Sequence, residues 1–220
     1  MRCCLRFNHD FAMILVKTVG VLIKISIMKT KITDLLSTIL TFLLKWQFPV
    51  CHFLNDALEE NEIIKLFKSV GLNPTTELIE LYQWRNGTNI VQGTMLDDIQ
   101  IIPGFHFLSL QDSVSNYLAM KNDQRWNQNW FPVFANGGGD FYAVDLSHST
   151  GASAPVIGFI LGEEEQEVEY QSLTTMLLTF CECYQKNIVF RTEDGYLEMD
   201  DDEQAEIAFK HNPEVEFWQS

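Results

Sequence analysis

The chain has 220 residues, 46% of them hydrophobic, and a formal net charge of −15 that is unevenly distributed. Residues 1–50 carry seven Lys/Arg and two Asp/Glu, whereas residues 51–220 carry eight Lys/Arg and twenty-eight Asp/Glu, a net charge of −20. An acidic body of this kind repels nucleic acid and anionic membrane surfaces and attracts basic molecules. We therefore expect no nucleic-acid partner, and we do not expect membrane binding.

The first fifty residues form a segment of a different kind. Residues 11–28 are strongly apolar, but Lys17 and Lys24 interrupt the run, which makes a membrane span costly. The basic start resembles a secretory signal, but the unbroken apolar run and a small-residue cleavage site are lacking. Two readings stay open: a leader, or a start assigned too early, because Met28 begins a plausible soluble N-terminus. We expect residues 1–27 to be dispensable for folding.

A short helix is predicted after Met28, because apolar residues recur at helical spacing. They are Leu35, Leu36, Ile39, Leu40, Leu43 and Leu44. The spacing leaves open whether this helix packs on the following domain or belongs to a disordered leader. We assign residues 1–50 to an N-terminal extension and residues 51–220 to a single domain.

Two further helices are predicted at the start of that domain from residues that begin and end helices. Asn55 or Asp56 can cap a helix that runs to about Val70, and Asn73-Pro74 opens another that ends at Asn86-Gly87.

An edge strand and a further helix are predicted next. Residues 95–102 are expected to form the strand, which Pro103-Gly104 stops. Ser109, followed by Asp112, forms a capping-box-like start for the helix.

Residues 126–161 predict a three-strand antiparallel meander. Three apolar runs rich in aromatic and β-branched residues begin at Trp130, Phe141 and Val156, and turn residues separate them. Between the first two runs stands Gly137-Gly138-Gly139, which allows the positive φ that a tight reversal requires. A phosphate-binding loop is disfavoured here, because Asp140 and a further strand follow in place of Lys-Ser/Thr and a helix.

The remainder is helical and strongly acidic. A short strand is expected over residues 168–170, and Ser172 caps a helix whose apolar stripe runs from Leu173 to Tyr184. A last helix is expected over residues 203–210. Residues 163–220 carry sixteen Asp/Glu against three Lys/Arg.

A catalytic or metal site is not evident. The five cysteines and five histidines show no zinc-ligand spacing and no recognised nucleophile motif. Asp140 and Asp145 are best interpreted as solvated turn residues, and an enzyme would gain support only if they met His148 in one pocket. We therefore expect no catalytic residue, no cofactor, no metal and no small-molecule substrate.

The order of the segments resembles the SUKH superfamily, which contains bacterial immunity proteins and fungal Smi/Knr-type cell-wall regulators. The matching blocks are a helix leading into residues 81–87 (LYQWRNG), the segment 103–110, the strand 130–135 (WFPVFA) with its glycine-Asp turn, and the final strand and helix up to residue 186. The resemblance covers residues 55–186.

The resemblance implies an α+β domain with a mixed, mostly antiparallel sheet flanked by helices. It also implies a non-catalytic module that binds protein partners. We expect a cytoplasmic immunity protein that neutralises a cognate toxin, with a nuclease as the candidate class, because many nuclease toxins are basic and the body of this chain is acidic. A regulatory scaffold of the fungal type, which binds signalling partners, is the alternative.

Two acidic clusters are the predicted partner-binding residues. The first is a turn and the second a helix start, and a dense negative field at either can attract a basic partner. Their members are Glu163, Glu164, Glu165 and Glu167, and Asp200, Asp201, Asp202 and Glu203. A solvated surface without a partner is the alternative explanation.

Overall fold

The structure, a computed structural model, describes residues 31–219. The expectation that residues 1–27 are dispensable falls outside these residues. Within them lie the helices α1 (Ile32–Lys45), α2 (Glu60–Ser69), α3 (Thr76–Trp84), α4 (Leu110–Met120), α5 (Leu173–Gln185) and α6 (Asp201–His211). The strands are β1 (Gln100–Ile102), β2 (Phe105–Phe107), β3 (Trp130–Ala135), β4 (Phe141–Asp145), β5 (Val156–Phe159), β6 (Glu167–Tyr170), β7 (Val189–Arg191) and β8 (Leu197–Met199).

The main sheet is a six-stranded meander in the order β1-β2-β3-β4-β5-β6, and β7 pairs with β8 in a separate hairpin. The α+β class is confirmed, as is the predicted meander of β3, β4 and β5. Every strand pairing within the described residues is antiparallel, so the sheet is not mixed there.

The two faces of the sheet bury different sets of side chains, because successive residues of a strand point to opposite faces. On β4, Tyr142 and Val144 belong to the main core beneath the helices. Phe141 and Ala143 belong to a smaller cluster around Trp126, which also includes Phe159, Leu108 and Ala135. The side chains of Trp126 and Phe159 meet edge to face, with ring centroids 5.0 Å apart.

Helix α1 packs in the main core, which answers the question that its spacing left open. Leu36, Ile39 and Leu43 are completely buried, in the same hydrophobic cluster as the sheet and α5. Just after the helix, the Trp46 ring stacks on Tyr184 with centroids 5.6 Å apart. Residues 32–46 therefore contribute to the core of the domain that follows them.

Helix α5 is the most enclosed helix. All six residues of its predicted apolar stripe are buried: Leu173, Met176, Leu177, Phe180, Cys181 and Tyr184. Cys183, which the stripe leaves outside, is buried as well, because α1 and α6 both pack against α5.

Two predicted element starts are wrong. The helix predicted to follow Asn55 or Asp56 begins at Glu60. Glu59 is its cap, because Glu59 and Glu62 form a reciprocal capping box. Asn55 is used elsewhere: its side-chain Nδ2 donates to the Asn86 carbonyl and its backbone N–H to the Gly87 carbonyl, both at 2.9 Å. The predicted strand 95–102 is shorter, because Leu96–Ile99 form a 3-10 turn and β1 begins only at residue 100.

Asn86-Gly87 joins the end of α3 to the start of α4. The Leu110 N–H donates to Asn86 Oδ1 at 2.8 Å, so the Asn86 side chain serves the first turn of α4. Gly87 has φ +69°, and a Cβ there would lie 2.2 Å from the Ser109 backbone nitrogen. A side chain at position 87 is therefore excluded both by backbone conformation and by lack of space.

Truncation of α1 should test its place in the core. Leu36→Ala removes a completely buried side chain, and we expect a loss of about 2–5 kcal/mol in the free energy of unfolding. Leu44→Ala is the matched control on the same helix, because Leu44 is 56% exposed; its expected change is within about 0.5 kcal/mol. Urea unfolding of both variants measures the difference. Equal midpoints would contradict the packing of α1.

Candidate functional site

The first predicted cluster forms a rigid, exposed turn between β5 and β6, which we call the acidic turn (residues 163–167). Glu163, Glu164, Glu165 and Glu167 are all exposed. Gln166 holds the turn from within: its Nε2 donates to the Ile160 carbonyl at 3.0 Å and to the Glu163 carbonyl at 2.8 Å. The carboxylates therefore project from a fixed scaffold.

The second cluster begins α6, and part of its charge has a structural role. Asp200 is the cap, since its Oδ1 accepts a hydrogen bond from the Glu203 N–H at 3.0 Å. Asp201, Asp202 and Glu203 occupy the first turn, where negative charge is favoured by the helix dipole. All four side chains are exposed.

The structure brings one member of each cluster to a common neighbourhood. Burial is the main cause of the raised pKa of both Glu169 and Tyr142, and Tyr142 hydrogen-bonds to Glu169. Glu167 raises the pKa of Glu169 further, and Asp201 raises that of Tyr142 further. Glu167 also lines a surface cavity of about 410 Å³ together with Ala205 of α6. Strand β6 and the start of α6 thus form adjoining parts of one acidic surface.

Nearby cations do not neutralise this surface. Lys186 and Lys210 both pair with Glu182, at 3.1 and 2.7 Å. Arg191 donates to the backbone carbonyls of Trp46 and Gly195. All three Lys/Arg of residues 163–220 are thereby occupied within the fold. Within residues 31–219 no ion pair involves any of the eight predicted residues.

Glu169 is a buried carboxyl that the sequence did not single out. Its side chain occupies the space over Gly158, where an added Cβ would lie 1.6 Å from its Oε1. Burial raises its pKa, the hydrogen bond from Tyr142 opposes this, and the result is a pKa of about 7. The Trp218 indole N–H donates to the Glu169 carbonyl at 2.5 Å, so the C-terminal segment covers this strand. In the sequence, the available signal of this close approach was Gly158, an isolated glycine inside the strand Val156–Phe159.

The residues considered for catalysis do not form a catalytic triad. His148 Nδ1 lies 2.8 Å from Asp145 Oδ2 and 3.2 Å from Ser147 Oγ, so both partners contact the same ring nitrogen. A serine nucleophile requires the opposite nitrogen. Asp140 stands just before the first residue of β4, at the opposite end of the strand from Asp145, and accepts a hydrogen bond from the Leu161 N–H. Asp145 caps the turn that follows β4 and is buried, at 5% exposure, so the expectation of a solvated residue is wrong for Asp145.

Within residues 31–219, no three His, Cys, Asp or Glu side chains converge to hold a metal ion. None of the helices in this part of the chain combines the length and the apolar character that crossing a bilayer requires.

The family assignment has independent support. The family model described as "SMI1 / KNR4 family (SUKH-1)" matches residues 57–179, more than half of the chain. A search of curated proteins finds no match. The matched region extends from just before α2 into α5, so it contains the whole six-stranded sheet and the acidic turn.

Glu169 should make the stability of the protein depend on pH. Its folded-state pKa of about 7 is above the unfolded value of 4.5, so its stabilising contribution is complete below 4.5 and is lost as pH rises through 7. Glu169→Gln should therefore become more stable relative to wild type as pH rises, by up to about 3 kcal/mol. Thermal unfolding from about pH 5 to about pH 8 measures this. Glu198→Gln changes an exposed carboxylate on β8 and should give a constant difference. A constant difference for Glu169→Gln too would contradict the buried carboxyl.

Proposed function

The chain belongs to the SMI1/KNR4 family (SUKH-1), and we propose that it is a non-catalytic protein-binding module that neutralises a basic toxin. On this proposal it acts in the cytoplasm and requires no cofactor. A nuclease is the best-suited class of toxin, because an enzyme that binds a phosphate backbone presents a basic cleft.

The acidic surface is the observation that carries the proposal. Folding does not require Glu163, Glu164 or Glu165, which form no ion pair and no side-chain hydrogen bond among the described residues. Their charge is held on a turn that Gln166 keeps in place. A preformed negative surface accelerates encounter with a positive one and disfavours wrong partners.

We expect neutralisation of the acidic turn to slow association with the toxin. The partner tested is the product of a toxin gene adjacent to the gene for this protein. The variant Glu163→Gln/Glu164→Gln/Glu165→Gln should lower the association rate, and raising salt from about 0.1 M to about 1 M should do the same, because the Debye length falls from about 10 Å to about 3 Å. Dissociation, which depends on close contacts, should change less.

The matched control removes three charges elsewhere. Glu193, Asp194 and Glu198 are exposed in the β7–β8 hairpin, and their change to Gln, Asn and Gln gives the same net charge. This control should retain most of the wild-type association rate.

Co-expression of the wild-type protein should also restore growth of cells that produce the toxin.

The outcomes separate the two protein-binding hypotheses. Failure to bind the toxin and failure to restore growth would reject the immunity function. Recovery of a signalling protein as a stoichiometric partner would then favour the regulatory scaffold. An association rate unaffected by salt and by the triple variant would reduce the acidic turn to a solubilising surface.

A further inference from the structure

A groove with an apolar floor lies on the outer face of the sheet, opposite the main core. Its volume is about 560 Å³. Leu108 and Phe141, both buried members of the smaller cluster, form its floor. Ile90 and Leu96 line it and remain 48% and 39% exposed. These two aliphatic side chains therefore leave apolar surface open to solvent beside the apolar floor of the groove.

The glycine turn keeps one end of the groove free of side chains. A Cβ on Gly137 would lie 2.4 Å from Leu96 Cδ1, and a Cβ on Gly139 would lie 2.7 Å from Leu161 Cδ2. Both glycines have positive φ, +79° and +112°. Leu96 and Leu161 thus pack against bare backbone from two sides, and Leu161, 40% exposed, extends the apolar surface beyond the groove.

The turn is also fixed in place. Asn136 Oδ1 accepts hydrogen bonds from the N–H groups of Gly138 and Asp140, at 2.7 and 3.1 Å. Asp140 Oδ1 accepts from the Leu161 N–H at 2.8 Å, which ties the turn to the segment that leads into the acidic turn. The glycine-turn end of the groove is therefore preformed and incurs little ordering cost on binding.

Asp112 of α4 gives the lining of the groove a negative charge, and none of the lining residues is a lysine or an arginine. The nearby Arg125, which donates to the Leu161 carbonyl, is paired with Asp123. Asp97 and Asp98 follow Leu96 directly in the chain, while the acidic turn begins two residues after Leu161. Burial lowers the pKa of His106 in the groove, so its ring is neutral at neutral pH. An occupant with lysine or arginine beside an apolar anchor would complement both features.

We propose that this groove receives an apolar side chain from a basic segment of the partner protein, with flanking lysine or arginine against Asp112 and the acidic turn. The inference rests on the proposed function, since it assigns the site at which the basic partner is held. A second copy of this chain is a poorer occupant, because its body carries a net charge of −20 over residues 51–220.

The test uses the full chain labelled with nitrogen-15 and a short synthetic peptide that carries one leucine among lysines and arginines. Amide resonances of Leu96, Gly137, Gly138 and Gly139 should shift on titration. Two control peptides replace the leucine by serine or the basic residues by glutamate, and both should bind at least about tenfold more weakly.

Two protein variants complete the experiment. Ile90→Ala/Leu96→Ala truncates exposed side chains of the groove and should weaken peptide and toxin binding by about tenfold. Leu44→Ala/Phe190→Ala is the matched control, because these side chains are also exposed, at 56% and 38%, and lie elsewhere. Sedimentation of the unliganded wild type should show a monomer.

Several results would overturn the inference. They are shifts confined to the acidic surface, equal binding of the serine peptide, no shift at all, or a dimer that Ile90→Ala/Leu96→Ala dissociates. Toxin binding that depends on the acidic turn but not on the groove would reject this inference and leave the proposed function standing. Peptide binding in the groove without any toxin binding would reject the proposed function.

Discussion

The junction at Asn86-Gly87 is the constraint on which the arrangement of the domain depends. Asn86 serves the first turn of α4 through Leu110, and the positive φ of Gly87 allows the chain to pass against the segment before that helix. Immediately afterwards, the N–H and hydroxyl of Thr88 both donate to the Phe107 carbonyl, each at 2.8 Å. One short segment therefore joins the N-terminal helices, α4 and strand β2. Both walls of the groove, α4 and the loop that carries Ile90 and Leu96, start at this junction.

Glu182 is the centre of the ionic contacts around α5 and α6. Lys210 and His211 of α6 both contact Glu182 of α5 at 2.7 Å, and Lys186, one turn further along at the end of α5, pairs with it at 3.1 Å. Although partial burial acts to raise the pKa of Glu182, the hydrogen bonds from these groups lower it to about 2. Within residues 31–219, these lysines pair with Glu182, whereas the acidic turn has no ion pair.

Periodicity made the meander and α5 predictable from sequence. The runs at Trp130, Phe141 and Val156 and the stripe from Leu173 to Tyr184 are local patterns, and the structure keeps them. Asn86-Gly87 was recognisable as a helix end and as part of the family resemblance, but its contacts with α4 were not.

The features that sequence reasoning missed depend on contacts between distant segments. Asn55 looked like a helix cap, yet its side-chain amide donates to the Asn86 carbonyl, 31 residues further along the chain. The packing of α1 depends on Tyr184 and the rest of α5, which lie about 140 residues further along the sequence. The environment of Glu169 required Gly158 on a neighbouring strand. Of the candidate site, the exposure of the eight acidic residues could be anticipated, whereas their adjacency across β6 and α6 could not.

On the proposed function, the acidic turn and the groove would act over different distances and so would make different contributions to binding. An exposed carboxylate acts through solvent over about a Debye length, so it affects the rate of encounter more than the lifetime of a complex. An apolar side chain placed between Leu96 and Phe141 acts only on contact, and it therefore determines how long the complex lasts. Asp140 ties the glycine turn to Leu161, two residues before the acidic turn begins. On the proposed function, a partner attracted by the charge would therefore meet the apolar surface next to it.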